Sequence, residues 1–244
     1  MSIKAAMETV LVVGATGNIG VSAVTAALRS QRNVLAIVRN QNSADKLVKH
    51  IGSSKGITFT EADVLSDTGV RSVVDQVRAG KLPAFQHVFA SVGGEYVTTP
   101  LQEITTERLR RNFNTSFEAN FFAYRDSIGY LLEQKNPKST WTICTGSQGD
   151  IGTHPLPAMT QGPLFSMATA AARENEKTNV RFNEIYLCYR VEVDSDAEAH
   201  GVTKASDFAS VYEMVLDNQD VRSSRVRVEN DKEDLVKLKY AKKY

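Results

Sequence analysis

Apolar residues are grouped along the chain in short blocks whose spacing alternates between two kinds. Val10–Val13 is an unbroken apolar run of strand length, as expected of a strand buried on both faces. Asn18–Ser30 follows with helical spacing, then a second strand, Asn33–Val38, and a short helix, Asn42–Ile51. Gly56–Glu61 predicts a third strand, Thr68–Ala79 a helix, and His87–Ser91 a fourth strand. A long helical region covers Thr105–Gln134 and is stopped by Pro137. Beyond it lie a fifth strand at Thr140–Thr145, an alanine-rich helix at Pro163–Glu176 and a sixth strand at Arg181–Val191. A helix over Ala205–Asn218 and a short strand at Arg225–Val228 complete the pattern. Strand and helix in alternation predict an α/β protein: three layers around a doubly wound parallel sheet of about seven strands. No repeat, low-complexity stretch or linker interrupts the chain, so residues 1–244 are expected to form a single domain.

The junction of the first strand and helix reads VLVVGATGNIG, Val10–Gly20. Gly14 permits a tight turn, Gly17 lets backbone N–H groups approach a diphosphate, and Gly20 lets helix and strand pack closely. A diphosphate would lie at a helix N-terminus, where free N–H groups and the helix dipole both favour an anion. The spacing after a strand and before a helix predicts a dinucleotide-binding Rossmann fold, with Gly14, Thr16, Gly17, Asn18, Ile19 and Gly20 around the cofactor. At the end of the second strand, where a carboxylate would select the ribose 2′-hydroxyl of NAD, stands Arg39. A guanidinium can pair with a 2′-phosphate, so NADP(H) is the expected cofactor; a plain surface arginine is the alternative. Asp63 and Val64, after the third strand, are placed to meet the adenine or, more simply, to cap a helix.

Composition removes several function classes. Lys plus Arg number 29 against 28 Asp plus Glu, so no overall field draws nucleic acid or an acidic membrane. Leu235–Tyr244 is locally basic and reads as a solvated, frayed terminus. Cys144 and Cys188 fall in apolar runs and read as reduced core residues of a cytoplasmic protein. No segment has the length of a membrane span, no signal peptide precedes the first strand, and no metal is expected.

Together these residues resemble the short-chain dehydrogenase/reductase superfamily along nearly the whole chain. Gly14–Gly20 matches its glycine loop and Asp63 its adenine contact. Ser91-Val92-Gly93-Gly94 stands where the family has Asn-Asn-Ala-Gly, which puts Ser91 and Gly93 beside the cofactor. Asn114, within NFNTS, matches the helix asparagine that braces a water relay. Thr145-Gly146-Ser147 matches the end of the catalytic-serine strand, and VRFNEI (Val180–Ile185) and KASDFA (Lys204–Ala209) match the late strand and helix. The GATGNIG wording with Arg39 also leans toward the atypical, NmrA-like branch, although the length is that of a compact member.

The resemblance breaks at the proton relay. The family's proton donor is a tyrosine four residues before a lysine, on the helix after the serine strand. Here there is no tyrosine between Tyr130 and Tyr186 and no lysine between Lys138 and Lys177. Alignment puts Pro157 at the tyrosine position and Gln161 at the lysine position, and Leu187-Cys188 replaces the usual Pro-Gly. Three readings fit. The chain could reduce an electrophile that needs no protonated oxygen, such as an iminium. It could catalyse a cyclisation or isomerisation by orientation alone, or bind a nucleotide as a sensor without chemistry. Some fungal enzymes of the malbrancheamide and paraherquamide alkaloid pathways, derived from the same superfamily, look similar in lacking the pair. That resemblance implies NADPH-dependent iminium reduction coupled to an intramolecular [4+2] cycloaddition.

Candidate catalytic residues are Ser147, Asp150, His154 and Asn114. Ser147 ends its strand on the ligand-binding side of the sheet, while Asp150 and His154 are expected in a loop, Gln148–Pro163, facing the same crevice. Asp150 could steady a cationic substrate and His154 could exchange a proton; each also reads as a solvated loop residue. Tyr189 and Arg190 follow the sixth strand, by analogy near the nicotinamide, and Tyr96 could line the substrate side. Asp194–Thr203 stands in the place of the family's substrate lid; its shortness predicts an open pocket and a bulky small-molecule substrate. The aromatic stretch Phe117–Tyr130 reads as core or subunit packing, and the resemblance implies a homodimer or homotetramer.

Overall fold

The computed structural model describes residues 7–244; the first six residues of the expected domain lie outside the described residues. Eight strands form one sheet in the order β10-β9-β6-β5-β4-β1-β2-β3. The first half comprises β1 (Thr9–Val13), α1 (Asn18–Arg29), β2 (Asn33–Val38), α2 (Gln41–Ile51), β3 (Ile57–Glu61), α3 (Gly69–Arg78) and β4 (His87–Ala90). The second comprises α4 (Thr106–Phe113), α5 (Ala119–Gln134), β5 (Thr140–Gly146), α6 (Gln148–Ile151), α7 (Pro155–Glu174) and β6 (Arg181–Leu187). The last part holds β7 (Val191–Glu192), α8 (Asp194–His200), β8 (Thr203–Lys204), α9 (Ala205–Asp217), β9 (Ser224–Val228) and β10 (Lys239–Lys242).

Side chains alternate across the sheet because strand side chains point to opposite faces in turn. Val10, Val12, Val34, Ala36 and Ile185 pack with α1, α2 and α9; Leu11, Val13, Leu35, Ile37, Trp141 and Phe182 pack with α3, α5 and α7. The result is the three-layer α/β Rossmann arrangement. Strand order reverses between β1 and β4, the switch point where such folds open a crevice.

Four elements differ from the sequence expectation. The sheet has eight strands, because part of the tail read as frayed forms β10, antiparallel to β9. Lys239 and Lys242, within the strand, pair with carboxylates at the surface, and just past its end Lys243 turns inward, its side chain only 6% exposed, to meet Glu184. Residues 148–163 are not a loop but α6 and the first turns of α7. Pro155 begins α7, where its missing N–H costs nothing, and Pro163 is carried inside the helix. The sixth strand ends at Leu187, and Val191–Glu192 leaves the sheet to pair with β8 in a separate two-stranded ribbon. The short polar lid is a helix, α8, closed by Gly201 in a left-handed conformation.

Candidate functional site

At the switch point the ends of β1, β2, β3 and β4 surround a cleft of about 220 Å³. Gly14, Thr16, Gly17, Arg39, Asp63, Val64, Ser91 and Gly93 line it, joined by Leu65 and Thr115. Gly14 has φ +87°, and a Cβ there would lie 2.9 Å from the carbonyl oxygen of Ser91. Both facts require glycine: β1 and β4 leave the sheet almost in contact. Gly20 does not line the cleft; a Cβ on it would fall 2.0 Å from the Gly14 oxygen, so it serves the packing of helix on turn. Ile19 packs against the core. Asn18 turns the other way, its Oδ1 accepting from the N–H of Val193 at 3.2 Å, which ties the glycine turn to the approach to α8.

The lining fits a dinucleotide. Gly17 begins α1 in an extended conformation with no side-chain cap and no acidic residue in the first turn, leaving N–H groups for an anion. The Ser91 hydroxyl is buried and without a hydrogen-bond partner among the described residues, and a buried hydroxyl at a cleft wall suits a ligand hydroxyl. Arg39 is exposed at the end of β2 and, among the described residues, makes no hydrogen bond or ion pair that would hold its guanidinium elsewhere. Asp63 accepts from Leu65 N–H at 3.0 Å through one oxygen.

The other candidates scatter. Ser147 is buried at the end of β5, its backbone N–H donating to the Leu187 carbonyl at 2.9 Å. Beside it is Cys188, whose thiol burial pushes up. Asp150 is not among the residues lining the cleft: it accepts from the Tyr186 hydroxyl at 2.8 Å and lies 3.9 Å from Arg225. Arg225 in turn covers the Tyr186 ring at 4.5 Å. His154 stacks on Tyr96 with ring centroids 4.7 Å apart. Asn114 opens a π-helical turn between α4 and α5, but its amide donates to the Leu65 carbonyl at 3.1 Å and to Glu118 at 3.0 Å. Arg190 is paired with Glu192, which also holds His200 at 2.6 Å, and it does not line the cleft. The Tyr189 hydroxyl is buried with no partner among the described residues.

At the α7 positions aligned with the relay, Pro157 is buried and Gln161 accepts from the Gly146 N–H at 2.7 Å. Among its residues, Pro155–Glu174, α7 carries neither tyrosine nor lysine.

Three further features were not expected from the sequence. Asn112 is buried, two residues before the half-buried Asn114; it donates to Glu95 at 3.2 Å and to the Arg108 carbonyl at 2.9 Å. Glu184 is fully buried among Thr145, Arg225 and Lys243. The amide of Asn120 brackets Val92, holding both its N–H (3.1 Å) and its carbonyl (2.7 Å). A carboxylate within the apolar strand RFNEIYL was the one visible sign of the second.

A sequence profile described as short chain dehydrogenase matches residues 8–199. The chain belongs to the short-chain dehydrogenase/reductase family. It is 54% identical over 224 residues to the short-chain dehydrogenase/reductase iacG of Pestalotiopsis fici, spanning 90% of each chain. In three dimensions this family member is similar to a glucose/ribitol dehydrogenase-type short-chain enzyme of Brucella melitensis, with TM-score 0.75 and 18% identity over 92% and 96% of the two chains. It is also similar to ElxO in its NADP-bound form, with TM-score 0.76 and 15% identity over 88% and 93%. At such identities these structures speak for the fold. Family membership makes the chain an oxidoreductase of the short-chain type, and among its described residues no helix is long and apolar enough to cross a membrane.

Proposed function

We propose that the chain, acting as one domain over residues 1–244, is an NADPH-dependent reductase of an iminium or similarly activated C=N or C=C bond. Bound NADPH would supply a hydride. The observation that carries the reading is at α7: where a carbonyl reductase of this family needs an acid, Pro157 offers no proton, and Gln161 is an amide, no acid near neutrality, whose oxygen accepts from Gly146. Protonating a carbonyl oxygen by a placed acid is worth about 10²–10⁴-fold. An iminium does without it, because its carbon accepts the hydride while the C=N π pair moves to nitrogen and cancels the positive charge.

Each residue of the cleft then has a task. Arg39 pairs with the 2′-phosphate, the N-terminus of α1 receives the diphosphate, Asp63 meets the adenine, and the Ser91 hydroxyl completes its hydrogen bonding on a ribose. The NADP-bound form of ElxO, similar in fold, supports the choice of cofactor. Gln161 keeps the end of β5 in place, and so Ser147, which is left to orient substrate. Coupling to a [4+2] ring closure in a secondary-metabolite pathway extends the same reading, because cyclisation of a flexible product needs chiefly orientation. A bulky substrate and a homodimer or homotetramer in the cytoplasm complete it.

Titration with NADPH and NADP⁺, followed by nicotinamide fluorescence, tests the cofactor; failure of both to bind removes the proposal. A panel of N-alkyl iminium salts, followed by loss of nicotinamide absorbance, tests the chemistry. NADPH binding with no consumption across the panel would transfer the site to the cyclase or sensor reading.

A further inference from the structure

The segment that leaves the cofactor cleft at Ser91, Val92 and Gly93 is strapped down and then released. Asn120 holds Val92, and the Gly94 N–H donates to Ser116 Oγ at 2.9 Å. The Glu95 carboxylate is gripped by Arg108, by Arg111 at 3.4 Å and by Asn112. Directly after this anchor the chain presents Tyr96, 64% exposed, and Val97, 51% exposed, with Leu101 following.

Across from it, Gln148 Oε1 accepts from the Thr153 hydroxyl at 3.0 Å and from the His154 N–H at 2.9 Å. That pins the turn between α6 and α7 and sets His154 against the Tyr96 ring; Ile151, which ends α6 three residues before His154, is 56% exposed. Among the described residues nine large apolar side chains are exposed, and Tyr96, Val97, Leu101 and Ile151 all belong to these two segments. Of the other five, Met7 and Phe121 stand alone, which is ordinary for a surface, and Val236, Tyr240 and Tyr244 belong to the C-terminal tail. In the chain, Tyr96 follows the cleft-lining Gly93 by three residues and Ile151 follows Ser147 by four, so both segments leave the carboxyl ends of neighbouring strands, β4 and β5.

We infer that this rim is a substrate subsite for a planar, largely apolar ring system, which stacks on Tyr96 and rests against Ile151. Tyr96 offers a face that a flat ring or a ring-bound cation can cover. The carboxylate next to it in the chain, Glu95, is neutralised by its arginines, its acidity strengthened by the Arg108 hydrogen bond, so this wall recognises shape and polarisability instead of selecting for positive charge. What happens to the ring once bound rests on the reductase reading; the subsite itself does not need it.

The neutral fluorophore N-phenyl-1-naphthylamine serves as probe for the intact chain. Its fluorescence rises on binding the parent protein, and the double variant Tyr96→Ser/Ile151→Ser binds it about tenfold more weakly. Met7→Ser, an exposed apolar residue at the opposite end of the sheet, leaves the affinity unchanged. NADPH affinity, measured on the same samples, is the same in all three. Equal probe affinity in the parent and the double variant overturns the subsite. A parent that binds the probe but not NADPH removes the reductase and leaves the subsite standing.

Discussion

The ε-ammonium of Lys243 lies 2.5 Å from Oε2 of Glu184, an ion pair between the last residues of the chain and the middle of the sheet. Glu184 is fully buried and is also bonded by Arg225 and by the Thr145 hydroxyl. Thr145 stands two residues before Ser147, so the tail braces the strand end that carries the candidate serine. Lys243→Met is expected to cost about 2–3 kcal/mol, less than the ~3–5 kcal/mol of a carboxylate left with no cation, since Arg225 stays. The double variant Glu184→Gln/Lys243→Met recovers most of that loss. Urea midpoints measure both; a Lys243→Met protein as stable as its parent would show the pair to be idle.

Arg39→Ala is expected to weaken NADPH about 10–100-fold, the worth of charge-assisted hydrogen bonds to a 2′-phosphate. NADH, which lacks that phosphate, keeps its affinity. Calorimetric titration of both cofactors decides the matter, and equal losses would reject the assignment of Arg39.

Gln161→Leu removes the acceptor of the Gly146 N–H and leaves that donor unpaired, a loss of about 1–3 kcal/mol. Because Gln161 carries no titrating proton, reduction of a permanently charged N-alkyl iminium is expected to show no basic limb between about pH 7 and about pH 9. A rate that falls across that range would reveal a proton donor elsewhere in the site.

Beneath the amino ends of the strands, His87 is buried between Glu8 and Thr140, its ring nitrogens 3.2 and 3.0 Å from their oxygens. Burial holds the imidazole below its ordinary 6.5, and the hydrogen bond from His87, opposed in part by burial, brings Glu8 to about 2. Both shifts have the same sign. The unfolded chain takes up a proton at His87 first, so stability is lost as pH falls below 6.5; the contribution of Glu8 is lost as pH falls from 4.5 toward 2. His50, also lowered by burial, adds in the same direction. Melting temperature is therefore expected to drop between about pH 7.5 and about pH 5.5, and His87→Gln to shrink that drop. An undiminished drop in the variant would place the titration elsewhere.

The glycine turn, its helix and the parallel strands were readable because each depends on neighbours in sequence: Val10–Val13 must be covered, and Gly14 must turn. Arg39, Asp63 and Ser91 followed, since strand ends of a doubly wound sheet meet by topology. What sequence could not show was pairing at a distance. Asp150 reads as a loop acid until Tyr186, thirty-six positions on, claims it. Arg190 reads as a cofactor contact, and nothing near it in sequence shows that it and His200 share Glu192. Lys243 in a basic tail carries no mark of the buried carboxylate it neutralises. Asn114 gives no hint in sequence that it opens a π-helical turn or that its amide reaches back to the Leu65 carbonyl, forty-nine positions away.

The added strand has a consequence for how copies of this chain meet. A parallel sheet that stopped at β9 would present an open ladder of N–H and C=O groups, a template on which another chain could build. β10 covers that ladder, and all four of its residues, Lys-Tyr-Ala-Lys, are exposed. A second copy approaching edge to edge would set lysine against lysine, which disfavours endless sheet extension and the aggregation that follows from it.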